Sequence, residues 1–161
     1  MAVEITMQGI MAFGLSVSLL TLFSLMDIKT RKVSNELMTI SLAVGVLMSI
    51  VTGHLLDQLY LHLVGIFLAV IFAVPLFYMN AFGGADVKTM ILLQFISPGL
   101  ELGNFAEFLA EGMIGVFVPL LFMLVLGLVY SKRGGKTDRD KTPLIPFLFV
   151  GYLLMQLIVL L

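Results

Sequence analysis

Six apolar blocks, at residues 5–26, 37–52, 59–79, 82–96, 113–130 and 144–161, make up most of the chain, with short polar stretches between them. A helix needs roughly 20 apolar residues to cross the hydrocarbon core of a bilayer. Inside hydrocarbon the backbone must satisfy its own hydrogen bonds, so runs of this length and number point to α-helices packed side by side. Composition agrees: 60% of the 161 residues are hydrophobic and 12% are charged, against about 25% charged in an ordinary soluble domain. The expected fold is all-α, a polytopic membrane bundle of about six transmembrane helices, forming one domain over 1–161. The fourth block is short for a span at about 1.5 Å per residue. It continues past Pro98 with a kink, sits in a locally thinned bilayer, or is a re-entrant segment beside five helices.

The first block is read as a permanent helix. It follows Glu4 without any Lys or Arg, exceeds the length of a leader's apolar region, and has no small-residue cleavage site after it.

The position of the charges sets an orientation. All nine basic residues fall in three places: Lys29, Arg31 and Lys32 after block one, Lys88 after the glycines at 83–84, and Lys132, Arg133, Lys136, Arg139 and Lys141 between blocks five and six. With six helices, all three places lie on one side of the membrane, while Glu4, Asp57, Glu101, Glu107 and Glu111 lie on the other. The positive-inside rule then places the basic loops in the cytoplasm and both termini outside. These loops are topology signals, and no nucleic-acid partner is expected. Lys88, close to the membrane, either meets lipid phosphate or supports Asp86. Tyr60, Tyr78 and Tyr130 fall near helix ends, as interfacial tyrosines do, whereas Tyr152 is expected to face the bundle interior.

The chain has no cysteine, which excludes a thiolate metal site and a cysteine nucleophile. His54 and His62 lack a carboxylate or Cys partner at ligand spacing, so neither a metal nor a cofactor is expected. Two acids stand out instead. Asp27 follows Met26 at the cytoplasmic end of the first block, where a carboxylate gains nothing from the helix dipole; it is either a solvated boundary residue or a functional one. Asp86 follows Gly83, Gly84 and Ala85; it is either a helix N-cap or an acid that small neighbours leave open to an approaching backbone. Both acids lie at one membrane depth on one side. Two carboxylates sharing a site hold one proton between them, and such a pair activates water and protonates a leaving amine.

The run from Gly83 through Gly84, Ala85 and Asp86 to Lys88 resembles the Gly-x-Gly-Asp signature of the type IV prepilin and preflagellin peptidases. The run Asp27 to Asn35 is similar to that family's first catalytic block, in which an Asp ending helix 1 precedes basic residues and an Ile/Val-Pro/Ser-Asn element. Pro143 to Leu148 is similar to its proline-rich start of the last helix. The resemblance covers nearly the whole chain. It implies that Asp27 and Asp86 are the catalytic pair, supported by Gly83, Gly84 and Lys88. It also implies a membrane aspartyl endopeptidase that removes the basic leader of type IV prepilin-like or preflagellin substrates at the cytoplasmic face. Ala85 stands where the bacterial signature has its second glycine, and the cysteine-bearing insert of the long bacterial enzymes is missing; the resemblance therefore implies a short form without methyl transfer. Two other classes stay open from the residues alone. One is a small ion-coupled transporter, although its acids would be expected nearer the midplane. The other is a non-catalytic scaffold for pilus or secretion assembly.

Overall fold

The computed structural model describes residues 6–103, 107–133 and 142–158, and among these the chain forms helices and no strand. The helix α1 (Met7–Thr30) is started by Thr6, whose hydroxyl accepts from the Gly9 amide at 3.0 Å. It ends where Arg31 turns left-handed at φ 55° and returns its amide to the Asp27 carbonyl at 3.1 Å. The helix runs four residues past the apolar block to Thr30, and Asp27 lies in its last turn, at the C-terminal end of the helix as expected.

After α1, Ser34 caps α2 (Asn35–Val51). The short polar stretch that follows holds one helical turn, α3 (His54–Asp57), which Gly53 enters at φ 81°. Three more helices follow, α4 (Leu59–Tyr78), the shorter α5 (Gly84–Ile96) and α6 (Phe108–Arg133), and the last is α7 (Ile145–Ile158). Among the described residues α1, α4 and α6 are long and apolar enough to cross a membrane, and α2 and α7 are shorter apolar helices.

The packing is that of a membrane bundle. Large apolar side chains such as Leu25, Leu47, Phe67 and Leu128 are turned outward. Small and polar ones turn inward: Gly9, Ala12 and Ser16 on α1, Ser41, Gly45 and Ser49 on α2, Gly65, Ala69 and Ala73 on α4. Lipid is as apolar as leucine, so helices associate where small residues let their backbones close up. Helix α5, the short fourth block, is the exception. It is buried on most of its faces, with Met90, Leu93 and Ile96 at most 2% exposed.

Helix α5 stops at Ile96, before Pro98, so the fourth block does not continue as a kinked helix. The chain after it, expected as an outer loop, instead tucks inward: Ser97, Leu100 and Glu101 are all buried. Two glycines permit this. A Cβ on Gly115 of α6 would strike the Pro98 carbonyl, and one on Gly9 of α1 would strike the Glu101 carbonyl. Tyr152 is fully buried in the core, as expected, and Tyr60, Tyr78 and Tyr130 are exposed.

Chain direction sorts the charges. Lys29, Arg31 and Lys32 end α1, Lys88 begins α5 and Lys132 ends α6, so all five stand at one end of the bundle. Asp57, Glu101 and Glu111 stand at the other. Glu4, Lys136, Arg139 and Lys141, and the loop that holds the last three, lie outside the described residues.

Candidate active site

At the basic end, three stretches that are far apart in sequence pack against one another. Val33 follows α1, Ala85 begins α5 and Ile145 begins α7, and all three belong to a single apolar cluster with Phe23, Met38, Leu92 and Ile96. Around this cluster the polar atoms are tied in place. Lys88 donates to the Asn35 side-chain carbonyl at 2.6 Å, joining the first turns of α5 and α2.

Asp27 points into the bundle and is only 8% exposed. Its Oδ2 accepts from the Ile145 amide at 3.2 Å, at the first residue of α7. That helix start has no side-chain cap of its own, since Leu144 precedes it; a carboxylate from α1 supplies the missing acceptor at the positive end of the helix. Asp86 is 7% exposed and occupies the third position of α5. Its Oδ2 accepts from the Gly83 amide at 2.7 Å. Asp86 is therefore not the N-cap considered from sequence. Gly83 is the cap, and the Asp86 carboxylate reaches back to it as the acid half of a capping box. The backbone of Gly83 and the Asp86 carboxylate close on each other so tightly that a Cβ on Gly83 would lie 3.0 Å from Oδ2.

A cavity of about 520 Å³ opens beside Asp86. Asn80, Asp86, Ser131 and Thr142 give its wall polar groups beside Gly83, with Phe77, Met123 and Leu128 among its apolar lining. Leu144 is also on that wall, and the peptide bond joining it to Ile145 is the one whose amide holds Asp27. Asp86 thus lines the cavity directly, and Asp27 is linked to it through one chain step. Of the other residues singled out from sequence, Gly83 lines the cavity, Gly84 lies next to it in the first turn of α5, and Lys88 borders a separate apolar groove with Asn35, Met38 and Leu92.

A family model described as the type IV leader peptidase family matches residues 14–131. The chain belongs to the type IV leader peptidase family. No curated protein and no solved structure matches it. The stretch shared with type IV leader peptidases holds both Asp27 and Asp86 and stops before Leu144 and Ile145. The contribution of those two residues is visible only in the fold. The signal in the sequence was indirect: an acid at the cytoplasmic end of the first apolar block, and a last helix entered from Leu144, which offers no capping side chain.

The histidines also differ from expectation. His54 has a carboxylate partner after all, since its Nε2 lies 3.3 Å from Glu101 Oε2. Among the described residues no group of three or more His, Cys, Asp and Glu is arranged to hold a metal.

Proposed function

We propose that this member of the type IV leader peptidase family is an aspartyl endopeptidase in which Asp27 and Asp86 act on one peptide bond. The substrate class is the type IV prepilin-like or preflagellin protein, a short basic leader followed by an apolar helix, cut at the cytoplasmic membrane face. One observation carries the reading: residues from three distant stretches meet at the basic end of the bundle, and both acids are buried there, one on the cavity wall and one held through it.

The chemistry follows from two carboxyls sharing one proton. The ionised member takes a proton from water as the water oxygen bonds to the scissile carbonyl carbon. The protonated member gives its proton to the nitrogen as the C–N bond breaks. The products are a new carboxyl terminus on the leader and a free amine on the mature protein, and the pair ends with one proton, as it began. A cavity of about 520 Å³ is within the range that holds a small ligand and would accept a few residues of extended peptide. Its apolar lining suits the side chains on either side of the cut. The chain is a short form with no cysteine, so the mature amine is expected to stay unmethylated.

The test is incubation of the purified protein in detergent with prepilin-type and preflagellin-type substrates, followed by mass spectrometry of the products with S-adenosylmethionine present. Leader and mature chain at their unmodified masses are expected. Substrates left intact overturn the peptidase reading, and a methyl gained from this protein alone overturns the short-form reading.

A further inference from the structure

The end of the bundle opposite Asp27 holds a second group of buried titratable side chains that the proposed cleavage does not use. Gly9, which packs on the Glu101 carbonyl, is about 27 Å along the axis of α1 from Asp27, at 1.5 Å per residue. Here the inward-folded residues 97–103 are held from every side. Gln156 of α7 accepts from the Glu101 amide and donates to the Gly99 carbonyl, both at 2.9 Å. Glu111 of α6 accepts from the Leu100 amide at 2.9 Å, and Ser97 shares a hydrogen bond of 2.8 Å with the Tyr152 hydroxyl. The backbone of this segment is well supplied with partners.

Its one buried acid is placed differently. Glu101 and His54 are each 1% exposed in their side chains and stand 3.3 Å apart. Apart from that ion pair, neither Glu101 oxygen and neither His54 ring nitrogen has a hydrogen-bond partner. We propose that His54 and Glu101 form a proton-binding latch, which holds residues 97–103 inside the bundle while His54 carries a proton and releases them when it is lost.

The physical reason is the cost of a lone buried charge. With His54 protonated, cation and carboxylate face each other and each offsets the desolvation of the other. With His54 neutral, Glu101 is left as a buried carboxylate without a counter-charge, which is strongly unfavourable unless the segment moves to water. The groups around His54 reinforce this. His62 of α4 meets it edge to face at 5.2 Å between ring centroids and is tied through Nδ1 to the Gln94 carbonyl at 2.9 Å. Asp57 of α3 and Glu111 of α6 add negative charge, while α1, α5 and α7 present the uncharged Gln8, Gln94, Gln156 and Tyr152. Burial pushes the His54 imidazole down, but Glu101, helped by Asp57 and Glu111, outweighs it and leaves His54 above its ordinary value of 6.5. A raised histidine stabilises the fold fully below 6.5 and loses that contribution as pH rises through its folded value.

The experiment is thermal unfolding of the full chain in detergent from pH 6 to pH 9. The wild-type Tm is expected to fall by about 5 °C over this range, the scale of a lost buried pair in a chain of this size. Glu101→Gln removes the charge that needs the proton, so its Tm should be lower at pH 6 and nearly flat with pH. A Glu101→Gln profile that falls as the wild type does would overturn the latch. Should that variant fail to fold, the wild-type protein still decides the matter, because it has only two histidines. Nitrogen-15 spectra should show the histidine facing Glu101 titrating above 6.5, and neither histidine doing so would equally overturn the proposal. The outcome does not depend on whether the protein cleaves prepilins.

Discussion

The carboxylate of Asp27 accepts a hydrogen bond of 3.2 Å from the backbone amide of Ile145, 118 residues further along the chain. This bond joins α1 to α7 at the basic end of the bundle. It satisfies an amide at the start of α7 and turns a carboxylate that could have faced water into the interior. It also fixes Asp27 relative to Leu144, a wall residue of the cavity that Asp86 lines. An acid at the end of a membrane helix is thereby tied to the wall of the cavity.

If the two acids work as one unit, Asp27→Asn and Asp86→Asn should each lower cleavage by at least about a hundredfold, the scale of losing a general acid or base. The double variant should be no worse than either single one. Both asparagines retain an oxygen that accepts from Ile145 or Gly83, so thermal unfolding should change little. Glu36, exposed on the first turn of α2, should tolerate Gln with most activity kept. Asp138 and Asp140, which lie outside the described residues, should do the same. Turnover of a prepilin-type substrate by the folded variants decides this, and substantial cleavage by either single Asn variant rules out the paired mechanism.

The hydrogen bond between Lys88 and Asn35 predicts coupling between the glycine-Asp segment and the start of α2. Lys88→Met and Asn35→Ala should each cost about 0.5–1 kcal/mol, because the pair is exposed and water competes for both partners. The double variant should cost clearly less than the sum of the two. A double-mutant cycle in thermal unfolding measures this, and strict additivity would mean that the bond contributes nothing.

Gly115 should be intolerant of even one added carbon. A Cβ there meets the Pro98 backbone carbonyl, which cannot turn aside as a side chain can. Gly115→Ala should therefore destabilise the chain by about 1–3 kcal/mol, as overpacking does, whereas Gly14→Ala, where a Cβ meets nothing, should be close to neutral. Comparing the two midpoints in one detergent checks the inward fold of residues 97–103.

Orientation is testable because the chain has no cysteine of its own. Cysteine placed at Gln58 should react with a membrane-impermeant reagent in intact cells, and cysteine at Lys132 or Thr137 should react only after lysis. Labelling of Lys132→Cys from outside would invert the topology and put the cavity on the wrong side for a cytoplasmic cut.

Sequence alone reached the all-helical membrane class, because the length of an apolar run and the need of a backbone to satisfy itself in hydrocarbon are local properties. It also reached Asp27 and Asp86 as residues of interest, since a buried acid near a membrane is costly wherever it occurs. Helix ends were less legible. The apolar block stops at Met26, but the helix runs on to Thr30, where the left-handed Arg31 returns its amide to the Asp27 carbonyl.

Only the tertiary structure decided where the polar side chains go, because their partners come from other helices. Asp27 needed the uncapped start of α7, Asp86 its own cap at Gly83, and Lys88 the Asn35 carbonyl. Glu101 reads in sequence as one acid of an outward-facing loop, yet His54, Gln156 and the space left by Gly9 hold it in the bundle. Apolar burial is written in a residue and its near neighbours; polar burial is written in the partner that arrives from elsewhere in the chain.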